Sequence, residues 1–365
     1  MIGQLPFTAT PRYNFPTEYQ NLQLPHNFIE LSLRSMRKLD GECLVPAAIS
    51  LSDSVESHPS LYAPSPSNYE SQSLRSIPLK PSQQPATIIA IDVSNIKLGE
   101  TDSGLLIAIR AAVVWMRNRQ YRYLRLGPFP FHITEQNKQK ICHLFRAHNF
   151  QTSPNSQITP KLTDTHNRIS NLLECWLQMN ISTRSQDSIV LWDGSLTAGT
   201  PDNPMQFLSK LLETARNRLN RILAFAKTTT LRIGNQVLTD LTTETPSPCL
   251  IQVKSIPLNP STPLRFLGNI YVTRFARSNC SFRLDIDKNL PIEEGIAAVE
   301  QLLGNDMLYQ GYPETLRLAH IYSTFTASEV IGIQRFIAQT HGLRIIMRPN
   351  LRRLLFGPFG KGVDA

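Results

Sequence analysis

Two short runs, Ile88-Ile89-Ala90-Ile91 and Ile189-Val190-Leu191-Trp192, are apolar throughout and rich in β-branched side chains, and each is followed at once by an aspartate, Asp92 and Asp193. Runs of this length and composition are expected to be buried strands. A carboxylate at the C-terminal end of such a strand lies at the rim of the sheet, where open α/β sheets hold their ligands. Two such rims can bring two acids together, and close carboxylates repel and resist desolvation unless a cation neutralises them. Hard oxygen donors of this kind suit Mg²⁺ or Mn²⁺. The alternative for each aspartate is to cap the helix that follows its strand.

From Ala86 onward, segments of strand and helix character alternate, which predicts an α/β sheet covered by helices. The expected strands are Thr87–Asp92, Ser188–Trp192, Ile222–Ala226 (ending in Lys227), Asn269–Phe275, Ser281–Ile286 and Leu343–Met347. A helix is expected over Gly104–Arg119, where Leu105, Ala108, Ala112 and Trp115 share a helical face. Further helices are expected over Thr134–His148, over Arg168–Met179, from Asp202 and Pro204 to about Arg221, over Ile292–Leu303, and from Pro313 through His320. Thr326 and Glu329 have the spacing of a capping box for one more helix, ending at Gly342. The Pro-rich stretch Thr245–Pro263 reads as a loop or an excursion. Residues 52–85 hold ten Ser and six Pro in 34 positions and read as an extended linker. The domain organisation expected is therefore an N-terminal extension over 1–51, the linker over 52–85 and a folded body over 86–365. In the extension, a short amphipathic helix near Asn27–Lys38 carries Phe28, Leu31, Leu33 and Met36, which can dock on the body or on a partner.

Charge narrows the class of partner. The 365 residues carry 37 Lys and Arg against 28 Asp and Glu, a net +9. Residues 1–85 hold 6 basic and 7 acidic side chains, so the excess belongs to the body. Between Arg110 and Arg146 there are eight Lys or Arg, among them Arg117, Arg119 and Arg122, with one acid, Glu135, and with Tyr121, Tyr123, Phe129 and Phe131 interspersed. Basic groups bind phosphates and aromatic faces stack on unpaired bases; a solvated face with core aromatics is the other reading. The five cysteines have no ligand-type spacing, so zinc and a disulfide framework are disfavoured. No apolar stretch is long enough to span a membrane, and a reducing cytoplasm is the expected location.

Five pieces taken in order carry a resemblance to a known family: Ala90-Ile91-Asp92-Val93-Ser94, Glu174 on a helix, Leu191-Trp192-Asp193-Gly194-Ser195-Leu196, Ala224-Phe225-Ala226-Lys227-Thr228, and Gly311-Tyr312-Pro313 followed by Leu318-Ala319-His320. The set, spanning about 86–350, resembles the NurA nucleases. The resemblance implies an RNase H-like mixed β-sheet flanked by helices, behind a Pro/Ser-rich N-terminal extension. It implies a DNA nuclease, a 5′–3′ exonuclease and single-strand endonuclease of end resection and double-strand break repair. The implied cofactor is Mn²⁺ or Mg²⁺, as two ions, and the implied assembly is a homodimer working on DNA with a ring-shaped, hexameric HerA-like ATPase. Carried across, Asp92, Glu174 and Asp193 are the acidic ligands, His320 is a further ligand or acid/base, Lys227 offsets charge at the transferring phosphoryl group, and Tyr312 binds nucleic acid. One position departs from the pattern: Val93 stands where the family commonly has glycine, so the chain after Asp92 is expected to run differently.

Each residue also has a plainer reading. Glu174 can be a solvated helix residue, His320 a hydrogen-bonded core histidine, Lys227 a surface charge closing its strand, and Tyr312 a packing group. Ser94 and Ser195 are better explained by turns than by nucleophilic attack, because no His and acid accompany them. A different class of function is a non-cleaving RNase H-like scaffold that binds nucleic acid or docks a partner. A phosphotransferase on the same fold has no Walker-type phosphate loop to support it.

Overall fold

A computed structural model describes residues 24, 26–37, 39–47, 74–142, 161–200, 203–233, 236–241, 246–253, 263–276 and 280–347. Its centre is a long three-stranded meander, β3 (Thr87–Thr101), β4 (Gly104–Arg117) and β5 (Gln120–Thr134). On the other side of β3 lie two parallel strands, β6 (Ser188–Asp193) and β7 (Arg221–Ala226). The order β5-β4-β3-β6-β7, with only β4 antiparallel to the rest, is the RNase H-like arrangement expected. The sheet then continues antiparallel through β10 (Phe282–Asp287), β9 (Gly268–Arg274), β8 (Cys249–Val253) and β2 (Arg75–Pro78). At the opposite side β1 (Cys43–Pro46) pairs with the far half of β3 and with β11 (Arg344–Ile345).

Side-chain parity along β3 and β6 divides the core into two layers. Ile89, Ile91, Val190 and Trp192 pack under α1 (His26–Met36), α2 (Leu162–Arg184) and α3 (Met205–Asn217). Ile88, Ala90, Ile189 and Leu191 pack under α4 (Ile292–Asn305) and α5 (Glu314–Ser323). A third cluster places α6 (Ala327–Thr340) over Leu98, Leu106 and Ala108.

Three expectations are corrected here. Residues 104–117 form a strand, not a helix: Leu105 through Met116 are buried on both faces of the sheet, so nearly every position is apolar and the helical spacing arises by default. The turn to β5 holds Asn118 and Arg119 at φ 51° and 60°, the two-residue geometry that matches strand twist. The Pro-rich stretch 245–263 contains β8, and the Ser/Pro-rich stretch 52–85 contains β2, which is hydrogen-bonded to it. Of the helix expected over Thr134–His148, residues 138–142 are helical, Thr134 ends β5 and 135–137 form a turn; 143–148 lie outside the described residues.

The amphipathic N-terminal helix docks on the body. Phe28 is fully buried, with its ring edge-on to Phe129 at 5.0 Å and Phe131 at 5.3 Å. Ser32 Oγ donates to the Pro130 carbonyl. Replacing Phe28 by Ala is expected to cost about 3 kcal/mol, read as a lower melting temperature and as faster proteolysis within α1.

Candidate metal centre

The parallel register pairs Ile91 with Trp192, so Asp92 and Asp193 occupy the next rung of neighbouring strands. By parity both point to the α5 side. There Pro313 precedes the first turn of α5, which presents His320 to the same spot. Donor atoms of Asp92, Asp193 and His320 all lie within 4.8 Å of one another, and among the described residues this is the one such group of three.

Asp92 is buried, and its Oδ2 accepts from Ser323 Oγ on α5 and from Ser94 Oγ at 3.3 Å. His320 Nδ1 stands 3.4 Å from the same oxygen and, though shielded from solvent, has no hydrogen-bond partner. The Asp92 carboxylate raises the imidazole pKa, against the effect of burial. Burial raises the pKa of Asp193 and the like charge of Asp92 adds to this, opposed by Lys227, whose Nζ lies 2.7 Å from Asp193 Oδ2. Lys227 directly follows β7, two residues beyond Phe225, the cross-strand neighbour of Asp193. Two carboxylates and an imidazole whose Nδ1 makes no hydrogen bond form a donor set that fits a hard divalent ion such as Mn²⁺ or Mg²⁺.

The loop after Asp193 is held from the opposite face. Gly194, at φ 133°, donates its N–H to the Phe225 carbonyl at 2.7 Å. Leu196 N–H donates to the buried Asp285 carboxylate at 2.9 Å, and Asp285 is clamped by Arg283. After Asp92 there is no turn: β3 continues through Val93 to Thr101.

Glu174 and Tyr312 are not members of this trio, though Tyr312 borders it. Glu174 lies on α2, which covers the other face of the sheet, and its Oε1 accepts from Gln178 Nε2. Tyr312 is buried against Phe225 and Phe282 rather than offered to a ligand, with Lys227 Nζ 5.7 Å from its ring centre. Its hydroxyl has no hydrogen-bond partner, and burial, with the Asp193 and Asp92 charges, holds its pKa well above the usual phenol value. Arg117, Arg119 and Arg122 are exposed around the β4–β5 turn.

A set of charged residues outside the five motifs fixes α5. Arg110, buried on β4 opposite Ser94, donates to the Thr324 carbonyl at 2.9 Å and to Glu329. Arg125 donates to the Tyr322 carbonyl at 3.0 Å and to Glu329 at 2.7 Å. At the other end of α5, Asp306 accepts from Thr315 N–H and from the Tyr121 hydroxyl. An arginine amid Leu-Leu-Ile-Ala-Ile-Arg-Ala-Ala-Val-Val is the signal that could have found this set, since a charge inside a buried run requires a partner.

No protein-family model matches the chain, and no curated protein matches it. Among solved structures, the NurA nuclease from Sulfolobus solfataricus matches with a TM-score of 0.45 and 16% identity, over 72% of this chain and 86% of that one. Endonuclease V from Bacillus subtilis matches with a TM-score of 0.35 and 11% identity, over 73% and 89%. Endonuclease V from Ciona intestinalis, in complex with a DNA 24mer containing an inosine followed by a ribo-adenosine, matches with a TM-score of 0.34 and 11% identity, over 69% and 89%. NurA, which the motifs resemble, is thus among the structures found, at a similarity that concerns the course of the chain and not its chemistry.

Proposed function

We propose that this protein is a divalent-metal-dependent DNA nuclease. The observation that carries the reading is the convergence of Asp92, Asp193 and His320, with Lys227 on Asp193. Asp92, Asp193 and His320 would hold the ion, whose charge favours ionisation of an attacking water and offsets charge at phosphorus. Lys227, on the rim of the site, is placed to balance negative charge on a phosphoryl oxygen. Ser323 and Ser94 orient Asp92 by donating to its Oδ2. The meander supplies the phosphate path: Arg117, Arg119 and Arg122 are exposed around its β4–β5 turn, and from Gly104 to Thr134 it holds no acid.

The finer reading is a 5′–3′ exonuclease and single-strand endonuclease in end resection, acting as a homodimer with a HerA-like ATPase. It rests on the resemblance of the motifs. The test is degradation of end-labelled single-stranded and duplex DNA with Mn²⁺, with Mg²⁺ and with EDTA, beside Asp92→Ala/Asp193→Ala. Metal-dependent cleavage lost in the double variant supports the nuclease. DNA binding by folded protein, with no cleavage under any of the three conditions, favours the non-cleaving scaffold.

Replacing Arg117 and Arg119 by Ala is expected to weaken DNA binding and to reduce the slope of log K against log salt by about one to two units. A salt titration by fluorescence anisotropy reads this, and an unchanged slope puts the phosphate path elsewhere.

A further inference from the structure

We propose that Tyr123 and Tyr322 form a stacking step for an unpaired base, so that the substrate is engaged as single-stranded DNA; the inference rests on the nuclease reading. The two rings come from distant parts of the chain, β5 and α5, and lie face to face with centres 4.2 Å apart and planes 18° apart. Tyr123 is the outer ring, 41% exposed. Tyr322 backs it, and the Tyr322 main chain is itself held by Arg125. A supported, exposed aromatic face is already ordered before a base arrives, so little side-chain freedom is lost on stacking.

Its placement relative to the metal centre is set by the strand ladder. Asp92 pairs with Ala112 and Ala112 with Arg125, so Tyr123, two residues from Arg125, shares the face of Asp92. Two strand spacings and two residues along the strand put it about 12 Å away. On α5, Tyr322 follows His320 by two residues, so the two leave opposite sides of the helix, one toward β5 and the other toward Asp92. A strand crossing α5 from the metal centre therefore meets the tyrosine step. Beyond the step are Arg119 in the β4–β5 turn, which forms no ion pair among the described residues, and Tyr309, 59% exposed with Arg317 4.9 Å from its ring centre, whereas parity sends Arg117 and Arg122 to the other face of the sheet. Positive charge beside an open aromatic face suits a polyanion with splayed bases. A duplex interior keeps its base faces in its own stack and cannot use the step.

The experiment compares wild type, Tyr123→Ala, Tyr123→Phe and Tyr123→Trp, each with matched circular dichroism, for binding in EDTA to labelled oligo(dT), to the same backbone with abasic sites, and to a blunt duplex. Oligo(dT) affinity is expected to fall about tenfold in Tyr123→Ala and to be kept in the Phe and Trp variants. Duplex affinity should not change, and wild type on the abasic strand should fall to the level of Tyr123→Ala on oligo(dT). Equal oligo(dT) binding by wild type and Tyr123→Ala, or equal loss on oligo(dT) and duplex, overturns the stacking step and leaves the nuclease reading standing. Failure of wild type to bind either DNA overturns both.

Discussion

Asp193→Asn is expected to abolish metal-dependent cleavage while leaving DNA affinity close to wild type. The amide keeps the shape of the side chain but removes the charge that opposes both a divalent ion and Lys227 Nζ. A loss on the order of a thousandfold in rate corresponds to about 4 kcal/mol of transition-state stabilisation. The metal dependence can be read without turnover. Binding of Mn²⁺ to the folded state alone raises the melting temperature, and that rise should disappear in Asp193→Asn and in Asp92→Ala. Undiminished cleavage by Asp193→Asn would remove this aspartate from the centre.

The second large effect is on stability and lies outside the centre. Arg110→Met breaks a buried ion pair and leaves Glu329 and the Thr324 carbonyl short of a donor. Such losses cost about 3–5 kcal/mol when one charge stays buried; here about 3 kcal/mol is expected, because Glu329 keeps 30% of its side chain exposed and Arg125 still reaches it. The double variant Arg110→Met/Glu329→Gln should lose less than the sum of the singles.

The same pair predicts a pH dependence. Burial alone would raise the Glu329 pKa, but the Thr326 N–H and the Arg110 and Arg125 guanidiniums outweigh it and lower the pKa from 4.5 to about 2. A folded-state pKa below the unfolded value stabilises the fold above about pH 4.5 and loses that contribution as the pH falls toward 2. Glu329→Gln should therefore melt lower at neutral pH and show a shallower decline between those values. Identical acid limbs in the two proteins would contradict the assignment.

What could be read from the chain follows from how local each signal is. Asp92, Asp193 and Lys227 were legible because each closes a short apolar run that only a buried strand accommodates. The capping box at Thr326 was legible for the same reason, since both its hydrogen bonds join residues three apart. The second duty of Glu329, toward Arg110, was not, because 219 residues separate them. β4 was misread because full burial on both faces erases the alternation that marks a strand. Strands β2 and β8 were hidden for the opposite reason: each is a few residues long inside Pro-rich sequence, and the ladder between them supplies an order that neither has alone. The side of the sheet that Glu174 occupies was not legible either, because it depends on which face α2 covers, while the parity of β3 and β6 turns both aspartates toward α5.

The pairing of β1 with β11 has a consequence in time. Cys43 and Arg344, side by side in the sheet, are 301 residues apart in the chain. During synthesis from the N-terminus, β1 and the far half of β3 can meet early, but the strand that covers the outer edge of β1 is made 301 residues after it. Until then that edge remains open to any other extended chain, the situation in which growing polypeptides are most in need of a chaperone.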